Sequence, residues 1–486
     1  MKHSLRNKAA TGVVWQLLER FGAHGVSMVV TVVLARLLEP EDYGIIALAT
    51  VFSGLLEPFI NSGMTTRLVQ KKDADNLDFS TFFYFNITVS SALYLLIFFT
   101  APFIARYYDK ELLAPVIRVI GLNVLVYGLK GVQSAYVSRN MEFHKFFFAT
   151  LWGTVCAAAV GVFMAYKGFG VWALVGQNLL NNIIDTFVLW IVVKWRPVFS
   201  FSFVRLKDML QSGWKYLTVS LTNSIVDKIR SIIIGKAYSS ESLAFYDKGN
   251  LFPDVMTSSI ESAINGVILP SLSSVQDSRE DLKSMLDRSI RLSMYILSPV
   301  NFGLIACGKP LVRLLLTDKW LPCLPFMYIF CICNNLKVIN VLNQNVYRAT
   351  GNSGLFLKID LIKKLLNLLL LILGMWFGGI TGIAVSLLLA TVSYICINIY
   401  QNKKDLGFGA TDQLKAMFPG IILSAVMAIP VYCIQFLSFG NVITLVLQVL
   451  SGALIYGVLS VVFRVDSFYY LLSTAKSIFN SKIRND

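Results

Sequence analysis

Between Thr11 and Ile46, polar residues recur at Gln16, Arg20, His24, Ser27 and Thr31. Spacings of three and four put them on one face of an α-helix. The other faces are Val, Leu, Met and Phe, so a helix this apolar belongs in lipid or in a buried core, and its polar stripe must look into a bundle or a watery cavity. Adding 200 to those positions gives Tyr216, Ser220, Ser224, Asp227 and Ser231. The same offset pairs Arg36 with Lys236, Glu41 with Glu241 and Gly44 with Ala244. This is an internal repeat at half-chain scale, and it predicts two lobes related by pseudo-twofold symmetry.

Apolar runs of about 20 residues predict about fourteen helices. They lie near 11–37, 42–64, 79–106, 112–136, 145–167, 170–193, 209–237, 241–270, 284–308, 322–347, 355–377, 380–400, 414–437 and 441–463. Breakers mark the joints, among them Glu39-Pro40-Glu41-Asp42, Gly168-Phe169-Gly170, Arg196-Pro197 and Gly378-Gly379. The expected organisation is an N-lobe over 1–200, a C-lobe over 201–405, and a segment over 406–486 with two further helices and a tail.

Composition fits an all-α polytopic membrane protein. The 486 residues are 56% hydrophobic and 15% charged, with mean hydropathy +0.64, far more apolar than a soluble chain of this size. A net charge of +15 raises nucleic acid as a partner, but the basic residues form short clusters between apolar runs and no basic domain tracks a phosphate backbone. Counted from an amino terminus on the inside, Lys and Arg favour the inside segments roughly threefold, which predicts both termini on the cytoplasmic side. Six of the seven cysteines (Cys156, Cys307, Cys331, Cys333, Cys396 and Cys433) sit in apolar segments and are expected as free, buried thiols. The segment Met1 to Ala10 reads as the lead-in to a retained first helix rather than a cleaved signal.

Candidate chemistry lies in polar residues at membrane depth. The predicted helix 241–270 carries Asp247, Asn250, Asp254, Ser258, Glu261 and Asn265 at helical spacing, with Pro253 expected to bend it. The helix 42–64 carries Thr50, Ser53, Glu57 and Asn61. Such groups face a bundle interior and mark ion paths, or else they neutralise one another as structural pairs. Both readings stand for each residue. Glu57, Asp254 and Glu261 are the candidates for coupling to Na+ or H+. A basic set, Arg20, Lys130, Lys215, Lys228, Arg230, Arg291 and Lys337, would draw an anion such as a pyrophosphate if the heads converge. Lys215 and Arg291 are the ones expected to snorkel to an interface. Lys363 and Lys364 are weaker candidates, and the run Leu365 to Met375 is expected to face lipid.

Enzyme signals are poor. Asp73-Ala74-Asp75 is a D-x-D triplet in a short loop without a nucleotide-binding fold around it. Cys331-Ile332-Cys333 lacks two further zinc ligands. There is no Walker A motif, and no metal or organic cofactor is expected.

The stretch Leu34-Ala35-Arg36-Leu37-Leu38-Glu39-Pro40-Glu41-Asp42-Tyr43-Gly44 resembles the first outside turn of the polysaccharide transporter family, the Wzx-type oligosaccharide flippases of the MOP superfamily. Ala135-Tyr136-Val137-Ser138-Arg139-Asn140-Met141-Glu142-Phe143 and Tyr347-Arg348-Ala349-Thr350-Gly351 carry the similarity further. The resemblance implies six plus six helices with two extra carboxy-terminal ones, as in MATE-like proteins. It implies a flippase that moves a polyprenyl-pyrophosphate-linked oligosaccharide across the bacterial cytoplasmic (inner) membrane by alternating access. It also implies a cationic cavity, onto which Arg20, Lys130, Lys228, Arg230 and Lys337 map as substrate-binding residues, and working neighbours such as a polysaccharide polymerase and glycosyltransferases. A peptidoglycan-precursor flippase and a multidrug cation antiporter of the same superfamily are the alternatives. A membrane-embedded glycosyltransferase or polymerase fits less well, since no loop is long enough for a catalytic domain.

Arg20 is the most exposed expectation. Its neighbour Glu19 points about 100° away around the helix, so the guanidinium needs another partner, and a diphosphate matches its fork. Arg20→Lys should impair glycan export although the charge is kept, and Arg20→Ala should nearly abolish it at wild-type membrane abundance. Normal surface glycan with the Ala variant refutes the assignment.

Overall fold

Every regular element among the described residues is helical. The structure, a computed structural model, describes residues 15, 22, 25–61, 63–71, 73–275, 278–350, 353–437 and 439–473. We label the helices α1 (Gly25–Leu37), α2 (Pro40–Asn61), α3 (Gly63–Gln70), α4 (Asn76–Tyr107), α5 (Leu113–Asn140), α6 (His144–Tyr166), α7 (Val171–Val192), α8 (Phe203–Ala237), α9 (Ser240–Gly249), α10 (Leu251–Ser274), α11 (Arg279–Leu315), α12 (Leu324–Ala349), α13 (Ser353–Leu406), α14 (Ala410–Cys433) and α15 (Asn441–Val462). The sequence repeat reappears at the helix ends. The helix α1 stops at Leu37 and α2 starts at Pro40, while α8 stops at Ala237 and α9 starts at Ser240.

Nine helices among the described residues are long and apolar enough to cross a membrane, so the chain is a polytopic membrane protein. The helices α7, α8 and α10 have the length, at 22, 35 and 24 residues, but they are more polar: α8 and α10 carry residues that the sequence pattern singled out, and α7 carries Gln177, Asn178, Asn181, Asn182 and Asp185, which it did not. In α13 one qualifying helix supplies two arms. Gly379 adopts φ 59°, a left-handed conformation open to glycine, and the chain turns back there. A Cβ on Gly374 would lie 2.4 Å from the Gly382 carbonyl oxygen, a contact that an unbroken helix could not make.

Two compact units divide the chain, Met1–Ala244 and Phe245–Asp486. The division falls beyond the expected boundary at residue 200, because α8 packs on α2, α3 and α4 within the first unit. Where α2 crosses this segment the backbones touch. A Cβ on Gly44 would sit 1.8 Å from the Ser240 carbonyl oxygen, and one on Gly235 would sit 2.3 Å from Leu48 Cδ2. Close approach of this kind holds helices together in lipid, where apolar burial drives association weakly.

The start of α4 is the most heavily tied point of the first unit. Asp75 caps the helix, accepting from the backbone N–H groups of Leu77 and Asp78 at 3.1 and 3.0 Å. Asp78 returns the bond, accepting from the Asp75 N–H at 3.2 Å, which completes a capping box. The carboxylate of Asp78 is fully buried, and Lys71 at 2.8 Å and Arg205 at 3.1 Å supply its countercharge. The D-x-D loop therefore contributes a helix cap at Asp75. Ser80 and Thr81 accept from the backbone of Val198 and Ser202 at 3.0 and 3.2 Å, which fastens the α7–α8 connection across α4. An aromatic core of Phe79, Phe82, Phe83 and Trp195 fills the space behind it.

The predicted helix 241–270 is interrupted at Asn250, within one turn of Pro253, whose missing N–H leaves a carbonyl of the preceding turn free, and Asn250 itself keeps helical φ −84° and ψ −10°. One local reading of the sequence changes. All seven cysteines are free, but Cys396 and Cys433 are exposed rather than buried, since an apolar residue of a membrane helix is as readily placed toward lipid as toward the core. In the run Leu365 to Met375 one face is exposed, with Leu365, Leu369 and Ile372, while Asn367 and Leu371 on the other are buried.

The Gly44 contact gives a sharp expectation. Gly44→Val forces α2 off the Ser240 backbone and should cost about 1–3 kcal/mol, as overpacking does. The thermal midpoint in detergent should fall well below that of a control Gly25→Val, because nothing among the described residues lies within 4 Å of a Cβ at Gly25. Equal midpoints for the two variants contradict the contact.

Candidate functional site: membrane-depth charges and an apolar groove

In the first unit α5 and α7 meet through polar side chains. Lys130 forms an ion pair with Asp185, whose residue is 7% exposed. One to two turns away, Asn123 donates to Asn178 at 2.8 Å and accepts from Asn182 at 3.0 Å. A polar group in lipid costs several kcal/mol without a partner, and this seam gives each of these side chains one. Lys130 is thus a charge with its own carboxylate. Lys228 differs. It lies on α8 against Gly54 of α2, where a Cβ would come within 3.5 Å of its Cε, and it makes no ion pair among the described residues. Arg230, two residues on, is buried at 7% exposure.

The second unit pairs two of the predicted residues with each other. Glu261 of α10 and Lys337 of α12 lie 3.2 Å apart. Asp254 is exposed in the first turn of α10, where the helix dipole favours an anion. Glu57 of α2 is also exposed and accepts from Asn61 at 3.5 Å. Arg291 bonds Asp287 at 2.7 Å along α11, and Lys215 is exposed on α8. Arg20 and His24 lie outside the described residues. The structure therefore brings Glu261 to Lys337 and gives Lys130 a partner, Asp185, that periodicity alone did not assign to it.

A second feature had no sequence signal. Helices α10, α11, α14 and α15 enclose a groove of about 460 Å³ whose walls include Met256, Leu304, Met427, Val449 and Tyr456. Two glycines open it. Nothing lies within 4 Å of a Cβ placed on Gly303, and at Gly452 only Val431 and Met427 come within ordinary contact, at 3.5 and 3.8 Å. Two polar side chains of the lining are turned away: the Gln448 amide nitrogen donates to the carbonyls of Ala306 and Val431 at 3.4 and 3.0 Å, and the Tyr456 hydroxyl donates to the Tyr295 carbonyl at 2.8 Å. The Gln448 amide oxygen is buried, and the surface offered to a ligand is predominantly hydrocarbon.

A family model described as polysaccharide biosynthesis protein matches residues 33–325. The chain belongs to this polysaccharide biosynthesis protein family. The match begins at the Leu34–Gly44 motif, so the resemblance read there and the family agree. Within the family's reach, the chain is 24% identical over 308 residues to the succinoglycan biosynthesis transport protein ExoT of Rhizobium meliloti (strain 1021). That alignment takes in 63% of this chain and 62% of the relative, so the chain spans under two thirds of that protein's length. It is 20% identical over 399 residues to the lipopolysaccharide biosynthesis protein WzxC of Escherichia coli (strain K12), covering 80% of each. Among solved structures, a lipid II flippase MurJ in an inward closed conformation matches with TM-score 0.72 at 16% identity, over 93% of this chain and 98% of that one. That likeness establishes a shared fold.

For this polysaccharide biosynthesis protein, the Lys130–Asp185 seam is testable apart from transport. Lys130→Met leaves a buried carboxylate unpaired and should cost about 3–5 kcal/mol. The double variant Lys130→Met/Asp185→Leu removes both charges and should recover most of that loss in thermal unfolding of the detergent-solubilised protein. Additive losses in the double variant are the contrary result.

Proposed function

We propose that this protein is a flippase. In this reading it carries a polyprenyl-pyrophosphate-linked oligosaccharide, the repeat unit of a surface polysaccharide, from the inner to the outer leaflet of the bacterial cytoplasmic membrane. Both termini are cytoplasmic, and alternating access exposes the cargo to one side at a time. The names of the relatives support transport in polysaccharide biosynthesis. The observation that carries the reading is the apolar groove of α10, α11, α14 and α15. A sugar carrier for free glycans has no use for a hydrocarbon channel, whereas a polyprenyl tail must lie somewhere out of water while its head crosses. Burying each methylene of such a tail is worth about 0.8 kcal/mol, so even partial occupancy of the groove holds the carrier lipid.

The head group needs cations and hydroxyl partners. Lys228, which makes no ion pair among the described residues, is the first diphosphate contact in this reading, with Arg20 and Arg230 as the further cations that the family resemblance maps to the cavity. Lys130 and Lys337 act through their carboxylates instead, as structural pairs that shape the bundle. The energy comes from an H+ or Na+ gradient, whose electrical part is about 2.3 kcal/mol per charge per 100 mV, and Glu57 is the acidic group most open to an ion. A polymerase and glycosyltransferases would supply and consume the cargo.

The groove supplies the test. Gly303→Phe and Gly452→Phe fill it from positions where a side chain meets little packing, so the protein should reach the membrane normally. Surface polysaccharide in a deletion strain complemented with either variant should fall sharply, while Gly303→Ala should export as the parent does. Undiminished glycan with both Phe variants removes the lipid tail from the groove. Uptake of a radiolabelled lipid-linked oligosaccharide into the lumenal leaflet of proteoliposomes tests the flipping itself.

A further inference from the structure

The second unit buries a lysine that none of the foregoing uses. Lys363 lies on the first arm of α13, roughly 15 Å along the helix at 1.5 Å per residue, and is 3% exposed. Its Nζ donates to Asn340 Oδ1 of α12 at 3.0 Å and to Asn398 Oδ1 of the second arm at 2.8 Å. Asn398 is fully buried and donates in turn to Asn340 Oδ1 at 2.6 Å. The ring of Tyr394 stands 5.7 Å from the ammonium. Both amides offer oxygen, so the cage fits a cation. Among the described residues no carboxylate forms an ion pair with it, the Asp360 carboxylate one turn back being held by Lys364.

The charged and titratable groups around the cage are occupied elsewhere. On α13 itself, Asp360 is held by Lys364 at 2.8 Å. On α12, Lys337 is paired with Glu261 at 3.2 Å, Arg348 lies over the Phe356 ring at 5.0 Å, and the Tyr347 hydroxyl donates to the Asn398 carbonyl at 3.2 Å. On α14 and α11, Asp412 and Lys283 approach to 3.5 Å, Arg291 bonds Asp287, and the Lys415 carbonyl accepts from Arg291 at 3.4 Å. Desolvation in a membrane interior opposes the charge of a buried ammonium, and its direct contacts here are neutral amide oxygens. Lysine can give up its proton in such a site and arginine cannot.

We propose that the Lys363–Asn340–Asn398 cage is the proton site of the transport cycle. This rests on the flippase reading and names its coupling ion as H+. In the conformation described here the ammonium is sealed. When α12 and the arms of α13 part, water reaches Nζ, an N–H bond breaks, the proton leaves to water and the amine keeps the electron pair. The neutral amine no longer draws both amide oxygens, so the contact between α12 and α13 weakens until a proton returns from water on the other side. Binding of the proton and closure of the cage are then one event.

Two measurements on the full-length protein test this. The first needs no substrate. Amide hydrogen exchange of the protein in lipid nanodiscs, normalised to intrinsic chemical rates, is followed between about pH 6 and 9. Wild-type protection of α12 and α13 should fall as pH rises, while Lys363→Arg and Asn398→Asp, which keep the charge, should hold it flat. Lys363→Met should remove the pH response as well. A wild-type response that is flat, or that persists unchanged in the folded variants, overturns the proposal. In the second, the variants complement a deletion strain at matched membrane abundance. Loss of export with Lys363→Arg supports the site, and wild-type export with that variant overturns it. If Gly303→Phe and Gly452→Phe leave export intact while the exchange response is as described, the lipid-tail reading fails and the proton site stands.

Discussion

Lipid supplies no hydrogen bonds, so each polar side chain below the headgroups must find its partner inside the protein. Much of the bundle follows from that constraint. In α12 the asparagines bond in several directions: Asn334 to Asn250 at 3.3 Å, Asn335 to Ser298 at 3.3 Å, and Asn343 to Gln413 at 3.0 Å. Asn340 receives Lys363. One helix is thereby joined to α11, α13 and α14 by contacts that only one register satisfies. The Lys130–Asp185 pair and the Asn123 cluster do the same between α5 and α7. Polar seams in lipid are worth only about 0.6–2 kcal/mol each. Their larger effect is on specificity, since a helix rotated or shifted by one turn strands several groups at once.

Glycine works in two opposite ways around these seams. At Gly44, Gly235 and Gly374 the missing Cβ admits another helix's backbone or side chain to within 2.4 Å of where it would stand. At Gly303 and Gly452 the missing side chain leaves space open. The first kind fixes helix crossings. The second kind makes room for a guest, and both occurrences of it that line the groove face a chamber of carbon.

Much of the fold could be read from the sequence because breakers and apolar periods act locally. Pro40, the Gly168–Gly170 turn and Gly379 end helices where a residue-level argument puts them, and the offset that relates the two halves survives in the helix ends at Leu37 and Ala237. The failures have a common origin in tertiary facts. A stripe shows which face is polar but not which helix meets it, so the Asp185 partner of Lys130 and the Glu261 partner of Lys337 could not be assigned from periodicity. The cysteines at 396 and 433 looked buried because apolar neighbours mean core in water and either core or surface in lipid. The groove could not be seen at all, being made of ordinary apolar residues from four helices.

The three membrane-depth lysines whose partners differ show how one residue type is put to distinct uses. Lys130 and Lys337 face carboxylates, and an opposite charge within about 4–6 Å favours the charged form strongly. Each pair ties two helices together, α5 to α7 and α10 to α12, which suits these lysines to structure. Lys363 faces amides, which orient an ammonium without anchoring its charge. Changing the carboxylates to amides, or the amides to carboxylates, would exchange these roles with little change in shape, since Asn and Asp are nearly isosteric. The distribution of carboxylate and amide around the lysines, more than the lysines themselves, decides which of them is locked in an ion pair.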